Sequence, residues 1–229
     1  MRLLLISSSN VHGYGYLDHP APAMRAFLGD ARRVAFVPFA AHDHYVYTER
    51  VRERLARMDL EVVSPDHLDR ADAVFVGGGN TFRLLNTLRK RELLIPLEMK
   101  VRYGGLPYIG SSAGTVIAAP TIKTTNDMPI VETIFVGALG LIDFQINPHY
   151  LDPDPSSTHR GETREERIRE FHEENETPVV GLREGSILRV EDRVTTLLGE
   201  KTARLFRRGQ EPVELEPGVI SIPSASSAD

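Results

Sequence analysis

The chain has 229 residues, 41% of them hydrophobic, with no cysteine and a net charge of −5. Its length supports a large core and, by default, one domain over residues 1–222. The negative balance excludes the basic face that non-specific nucleic-acid binding needs. The missing cysteines exclude a disulfide framework and any thiolate nucleophile or metal ligand, and no apolar run reaches membrane-span length.

Arg2–Ile6 reads as a buried first strand ending in the polar loop Ser7-Ser8-Ser9-Asn10. Residues 11–22, with Gly13, Gly15, Pro20 and Pro22, read mostly as loop. Strands are expected at 33–39 and 61–63, around a helix at 48–58 that sets Val51, Leu55 and Met58 on one face. A strand at 73–76 runs into Gly77-Gly78-Gly79-Asn80, and helical spacing resumes over 81–88. A helix at 96–103 carries its proline in the first turn.

Tyr108-Ile109-Gly110-Ser111-Ser112-Ala113-Gly114 follows, a short strand leading into Gly-x-Ser-x-Gly, with a helix beginning at 115–119. This is the layout of a nucleophile elbow. The strand-to-helix turn is so sharp that Gly110 and Gly114 must be small, and the N–H of Ala113 points towards a developing oxyanion. A tight turn without chemistry has the same local signature.

Beyond Pro120 the pattern changes. Residues 121–131 are polar and irregular, 144–149 read as a strand ending in a loop, and 152–157 as loop. A charged helix at 161–175 has sparse apolar positions at Ile168 and Phe171, and the strand at 178–182 is stopped by Arg183-Glu184-Gly185. Segments 186–190, 193–198 and 204–206 read as an antiparallel meander, and 223–229 as a disordered tail. Alternating apolar strands and helices predict a three-layer, doubly wound, mostly parallel α/β sheet. Ligands of such sheets sit beyond the carboxyl ends of the strands, so the loops at Ser7, Gly77 and Gly110 are expected to converge.

A serine nucleophile needs a base and the base needs an orienting carboxylate. Of eight histidines, His149 follows an apolar strand and an Asn-Pro that fixes its backbone. His12, His19, His67, His159 and His172 fit polar loops or charged surface. His42 and His44 are spaced as a metal pair without a recognisable third ligand, so no metal is expected. Glu184 at a strand end and Asp127 in Thr124-Thr125-Asn126-Asp127-Met128-Pro129 compete as the orienting acid. The glycine turn at 77–79 completes no phosphate-binding motif. It offers a second oxyanion donor, or simply a flexible turn with Asn80 as the helix N-cap.

Taken together, Val76-Gly77-Gly78-Gly79-Asn80-Thr81-Phe82, the elbow, Thr124–Val131, Gln145–His149, Gly161–Arg164 and Gly181–Gly185 resemble the peptidase E, or α-aspartyl dipeptidase, family of serine peptidases. That family is related in fold to cyanophycinase and class I glutamine amidotransferases (flavodoxin-like). The resemblance implies a Ser112-His149-Glu184 triad, oxyanion donors at Gly79 and Ala113, and no cofactor. It places Arg164 on the substrate's aspartyl carboxylate, whereas the charge pattern alone reads Arg164 as a surface partner of Glu165, Glu166 or Glu170. Asp127 is the candidate for the α-amino group, and Asn80 is placed on the substrate side. The implied partners are small peptides with N-terminal Asp, with no nucleic acid and no membrane, and with homo-oligomerisation left open. Two positions depart from the family pattern: Ser111 stands where an aromatic is expected and Arg183 where a proline is expected. The segment Met1–Ile6 is too short for a signal peptide, so a cytoplasmic location is expected. The competing readings are a broader or cyanophycinase-like peptidase, a catalytically silent small-molecule binding domain, and a metallohydrolase built on His42 and His44.

Overall fold

The computed structural model describes residues 1–153, 156, 158 and 161–223. The tail from 224 onward and His159 lie outside the described residues. Strand β1 (Arg2–Ile6) is apolar on both faces because both are covered: Leu3 and Leu5 enter one core cluster, Leu4 and Ile6 another. Helix α1 (Ala21–Leu28) begins inside the segment expected to be loop, because proline is tolerated in a first turn and Met24, Phe27 and Leu28 then share a buried face. There follow β2 (Arg33–Val37), α2 (His44–Ala56), β3 (Glu61–Val63), β4 (Ala73–Val76), α3 (Thr81–Lys90), α4 (Leu94–Arg102), β5 (Tyr108–Ser111) and the single-turn α5 (Ala113–Val116). Strands β1, β5, β4, β2 and β3 pair in parallel in that order. α1 and α2 cover one face, where Phe27 and Leu55 meet Phe36 and Phe75 in one cluster; α3, α4 and α5 cover the other.

The second half of the chain builds a separate sheet. β6 (Gln145–Tyr150), α6 (Arg164–Glu174) and β7 (Val179–Arg183) form a parallel crossover unit. β8 (Ile187–Glu191) and β9 (Val194–Leu198) then return to the main sheet, antiparallel beside β1. β10 (Ala203–Phe206) goes back to β7, β11 (Val213–Leu215) adds to β10, and β12 (Gly218–Ile220) edges β9. The expected single meander is therefore divided between two sheets. The reason is burial on both faces of β10: Ala203 and Leu205 join the core between the sheets, while Phe206 packs with Tyr150, Ile168 and Val179 under α6. A strand at an open sheet edge would leave one of those faces wet. β11 and β12 are mostly exposed, so they carry no apolar alternation to read. Among the described residues no helix is long and apolar enough to cross a membrane.

The tightest packing lies at the turn after β5. A Cβ on Gly114 would stand 2.1 Å from the Val76 carbonyl oxygen, inside the backbone of β4. Gly114→Ala is expected to lower the urea midpoint by the equivalent of about 3 kcal/mol, an overpacking cost against unyielding backbone. An unchanged midpoint would contradict this packing.

Candidate active site

The loops after β1, β4 and β5 converge, and the second sheet delivers two more side chains to the same place. Ser112 begins the turn after β5 with φ +53° and ψ −110°, a strained conformation for a side-chain-bearing residue. Its N–H donates to Ile6 O at 3.0 Å, and Thr115 Oγ1 lies 2.7 Å from Ile6 O and 2.9 Å from Gly110 O. The turn is thus tied to the end of β1, and Ser112 Oγ is left facing the second sheet.

His149 reaches Ser112 through a bulge. The β6–β7 register shifts between Pro148 and Tyr150, and His149 takes φ +53° outside the ladder. Such a bulge re-aims a side chain. Its imidazole Nε2 lies 2.8 Å from Ser112 Oγ, and Nδ1 lies 2.8 Å from Glu184 Oε1. With Nδ1–H donating to the carboxylate, Nε2 is the tautomer's free acceptor for the serine hydroxyl. Glu184 sits in the turn after β7 that Ser186 N–H closes onto Arg183 O at 3.1 Å.

Ser7 holds this arrangement and carried no signal beyond its place at a strand end. It is fully buried, accepts the His149 N–H at 3.0 Å and donates its hydroxyl to Leu182 O at 2.8 Å. One hydroxyl thereby joins β1 to both strands that carry the imidazole and the carboxylate. The polar stretch 121–131 serves the same end by running along β6. Thr124 Oγ1 donates to Ile146 O, Asn147 Nδ2 to Thr124 O, and Asn126 Nδ2 to Pro148 O.

The glycine turn after β4 passes directly beneath the serine. Gly79 has φ +136°, and a Cβ there would stand 2.6 Å from Ala40 O, so no larger residue fits. Among the described residues neither the Gly79 nor the Ala113 N–H has a hydrogen-bond acceptor. A cavity of about 330 Å³ opens on Ser112 and His149, walled by Gly78, Gly79, Tyr47 and Arg50.

The remaining candidates lie beside this centre. Asp127 accepts the Thr81 N–H at 2.7 Å and hydroxyl at 2.5 Å, both on Oδ2. Its carboxylate is therefore engaged at the start of α3, and it is Glu184 that stands against the imidazole. Asn80 caps α3, accepting from Arg83 N–H at 3.0 Å, and donates Nδ2 to Met128 O at 2.9 Å. Arg164 opens α6. Among the described residues it has no carboxylate within ion-pair distance, because Glu165 pairs with Arg169 and Arg204 while Glu166 completes a capping box with Thr163. Burial pushes the Arg164 guanidinium below its ordinary pKa, Arg167 adds to that, and the nearby Asp127 opposes both.

The two unusual residues are accommodated without touching the relay. Ser111 is fully buried in β5. Arg183 turns away from Glu184 and clamps Asp152 at 2.6 and 2.8 Å and Glu214 at 2.8 and 3.1 Å. These bonds hold the Asp152 and Glu214 carboxyls below their usual pKa. Two histidines differ from their reading as surface residues: His172 is buried and faces Asn175 O at 3.1 Å, and His19 is half-buried. Burial lowers the His19 pKa, and Glu184 opposes that shift. His44 packs against the Phe39 ring, and among the described residues no three His, Cys, Asp or Glu side chains cluster to hold one metal ion.

The model of peptidase family S51 matches residues 3–198. A Streptomyces coelicolor protein named peptidase E is 58% identical over 225 residues, spanning 95% of this chain and 92% of the relative. A Drosophila melanogaster protein named "Probable alpha-aspartyl dipeptidase" is 46% identical, spanning 94% of this chain and 93% of the relative. The crystal structure of a peptidase from an acI-B1 actinobacterium superposes with a TM-score of 0.68 at 14% identity over 96% of each chain, a likeness of fold.

Two outcomes are expected from this geometry. Ser7→Ala strips a buried donor and a buried acceptor of their partners and should cost about 2–3 kcal/mol. It should also lower kcat by roughly tenfold with KM little changed, since a base held loosely loses its alignment; a variant with wild-type Tm and kcat would contradict the role. Arg183→Leu should lower Tm at pH 7, and the gap to wild type should close on acidification. Carboxyls with a depressed folded-state pKa stabilise above their unfolded values of roughly 4, and that stabilisation is lost as pH falls through the folded values. A gap that stays constant from pH 7 to about 2 would contradict the clamp.

Proposed function

This chain belongs to peptidase family S51, a family of serine peptidases, and we propose that it hydrolyses the bond after an N-terminal aspartate in dipeptides and short peptides. The observation that carries the reading is the unbroken relay of Ser112, His149 and Glu184, with both links at 2.8 Å. The names of the relatives, peptidase E and alpha-aspartyl dipeptidase, support the substrate class.

In this reading Ser112 Oγ attacks the aspartyl carbonyl carbon as its proton passes to His149 Nε2. Glu184 keeps Nδ1 protonated and stabilises the imidazolium. The Gly79 and Ala113 N–H groups receive the oxyanion, each donor contributing roughly 10²–10³ in rate. Collapse breaks the C–N bond, and Nε2 returns its proton to the departing amine. Water then gives a proton to His149 and attacks the ester carbonyl, releasing aspartate and restoring Ser112. Arg164, half-buried and without a protein carboxylate among the described residues, takes the aspartyl side-chain carboxylate. Asp127, its Oδ2 fixed by Thr81, offers Oδ1 to the substrate ammonium. Asn80 enters the substrate side through its tie to Met128 and thus to the loop bearing Asp127. Residues 1–222 act as one catalytic domain, since a single core cluster touches both sheets. The reading includes a cytoplasmic location, with which a chain free of cysteines is compatible.

The test is release of aspartate from Asp-Leu, without added metal. Ser112→Ala should reduce kcat/KM by at least about 10³-fold and Glu184→Gln by about 10²–10⁴-fold. Arg164→Gln should lose activity on Asp-Leu but not lower the weak activity on Ala-Leu. Equal turnover by wild type and Ser112→Ala would overturn the nucleophile, and wild-type preference for Ala-Leu would overturn the substrate class.

A further inference from the structure

The cavity beside Ser112 contains a cation that the mechanism does not use. Arg50 lines it from the middle of α2, together with Ser112 and His149. Its neighbours on the same helix are paired: Arg52 with Glu49, and Arg54 with Asp18 at 3.1 Å. Among the described residues Arg50 has no carboxylate within ion-pair distance. Its guanidinium carbon instead stands 4.0 Å from the centroid of the Tyr16 ring.

That perch is built. Arg54 donates to the carbonyls of Tyr16 and Leu17 at 3.1 and 3.0 Å, fixing the backbone that carries the ring. Tyr16 and Tyr47 meet through their hydroxyls at 3.4 Å, and Tyr47 accepts the Gly78 N–H at 3.0 Å. The cation is therefore registered, through two phenols, to the glycine turn beneath the nucleophile. Burial raises both phenol pKa values, so the two tyrosines stay neutral. Stacking restrains the guanidinium without neutralising it, which leaves its donors available to an anion. Besides Arg50 and the triad imidazole, the cavity wall consists of serine, asparagine, tyrosine, alanine and glycine residues.

An Asp-Xaa dipeptide brings two carboxylates. The side-chain carboxylate belongs to the acyl half, assigned above to Arg164 and Asp127 beside the loop at 124–131. The α-carboxylate belongs to the departing half, which must lie beside His149, because Nε2 protonates its nitrogen. Arg50 shares a cavity wall with His149, and neither Arg164 nor Asp127 lines that cavity. The volume of about 330 Å³ is at the small end of ligand pockets, roughly 300–1,000 Å³.

We propose that Arg50 binds the C-terminal carboxylate of the departing residue and so makes dipeptides the preferred substrates. This rests on the peptidase reading of Ser112, and the experiment separates the two. Asp-Leu and Asp-Leu-amide, which lacks the carboxylate, are compared as substrates for wild type, Arg50→Gln and Arg50→Lys, with Ser112→Ala as control. Wild type should favour the acid over the amide by roughly 10–100-fold, the range of one charge-assisted contact. Arg50→Gln should lose that preference, mainly through KM on Asp-Leu, and stay within about twofold of wild type on the amide. Arg50→Lys should keep part of the preference. Equal losses on acid and amide would assign Arg50 a merely structural role, and an intact preference in Arg50→Gln would remove it from recognition; either result overturns the proposal. Retained activity in Ser112→Ala would instead overturn the peptidase reading itself.

Discussion

A single buried hydroxyl, that of Ser7, sets the relation between the two sheets on which the site depends. The nucleophile comes from the turn after β5 in the main sheet, while the imidazole and the carboxylate come from β6 and β7 in the second. A relay with two 2.8 Å links tolerates little sliding between such layers, because hydrogen bonds weaken steeply with distance and angle. Apolar packing between the sheets supplies cohesion but no direction. Ser7 supplies the direction, since its bonds to His149 N–H and Leu182 O fix the end of β1 against β6 and β7 of the second sheet at once. The Ser112 N–H bond to Ile6 O ties the nucleophile to the same strand end.

Strain and its compensation are gathered at this junction. Ser112 and His149 both have positive φ, which costs energy in any residue with a Cβ and persists only where surroundings over-determine it. The surroundings here are hydrogen bonds rather than bulk: Thr115 against the elbow, Ser7 beneath His149, and the Thr124–Asn126–Asn147 lattice along β6. That lattice explains why a polar, irregular stretch lies against the core. Its side chains satisfy backbone groups of β6 that another strand would otherwise pair.

Charge is partitioned with equal care. Arg183 adjoins Glu184 in sequence, yet its guanidinium is held by Asp152 and Glu214, which leaves the Glu184 carboxylate to the imidazole. Arg164 and Arg50, by contrast, are held near the centre by burial and by an aromatic ring, without a partner carboxylate among the described residues. Cations kept in place but not neutralised suit a substrate with two carboxylates.

The amino-acid sequence by itself determined the parallel strands of the main sheet and the elbow, and narrowed the relay to Ser112, His149 and one of two carboxylates, because continuous apolar runs, glycine at a close approach and short motifs are local signals. Helix α1 was hidden by its prolines, and β11 and β12 by their exposure. Only the tertiary structure decided the division of the C-terminal strands between two sheets, since pairing partners are chosen by which faces need cover. It also decided between Glu184 and Asp127 as the group against the imidazole: both carboxylates end short polar turns, and distance alone separates them. Ser7 and Arg50 belong to the same class. A serine after a strand and an arginine on a charged helix look ordinary in sequence; the first becomes informative only when the fold brings it within hydrogen-bond reach of His149 and Leu182, the second when it enters the cavity wall shared with Ser112 and His149.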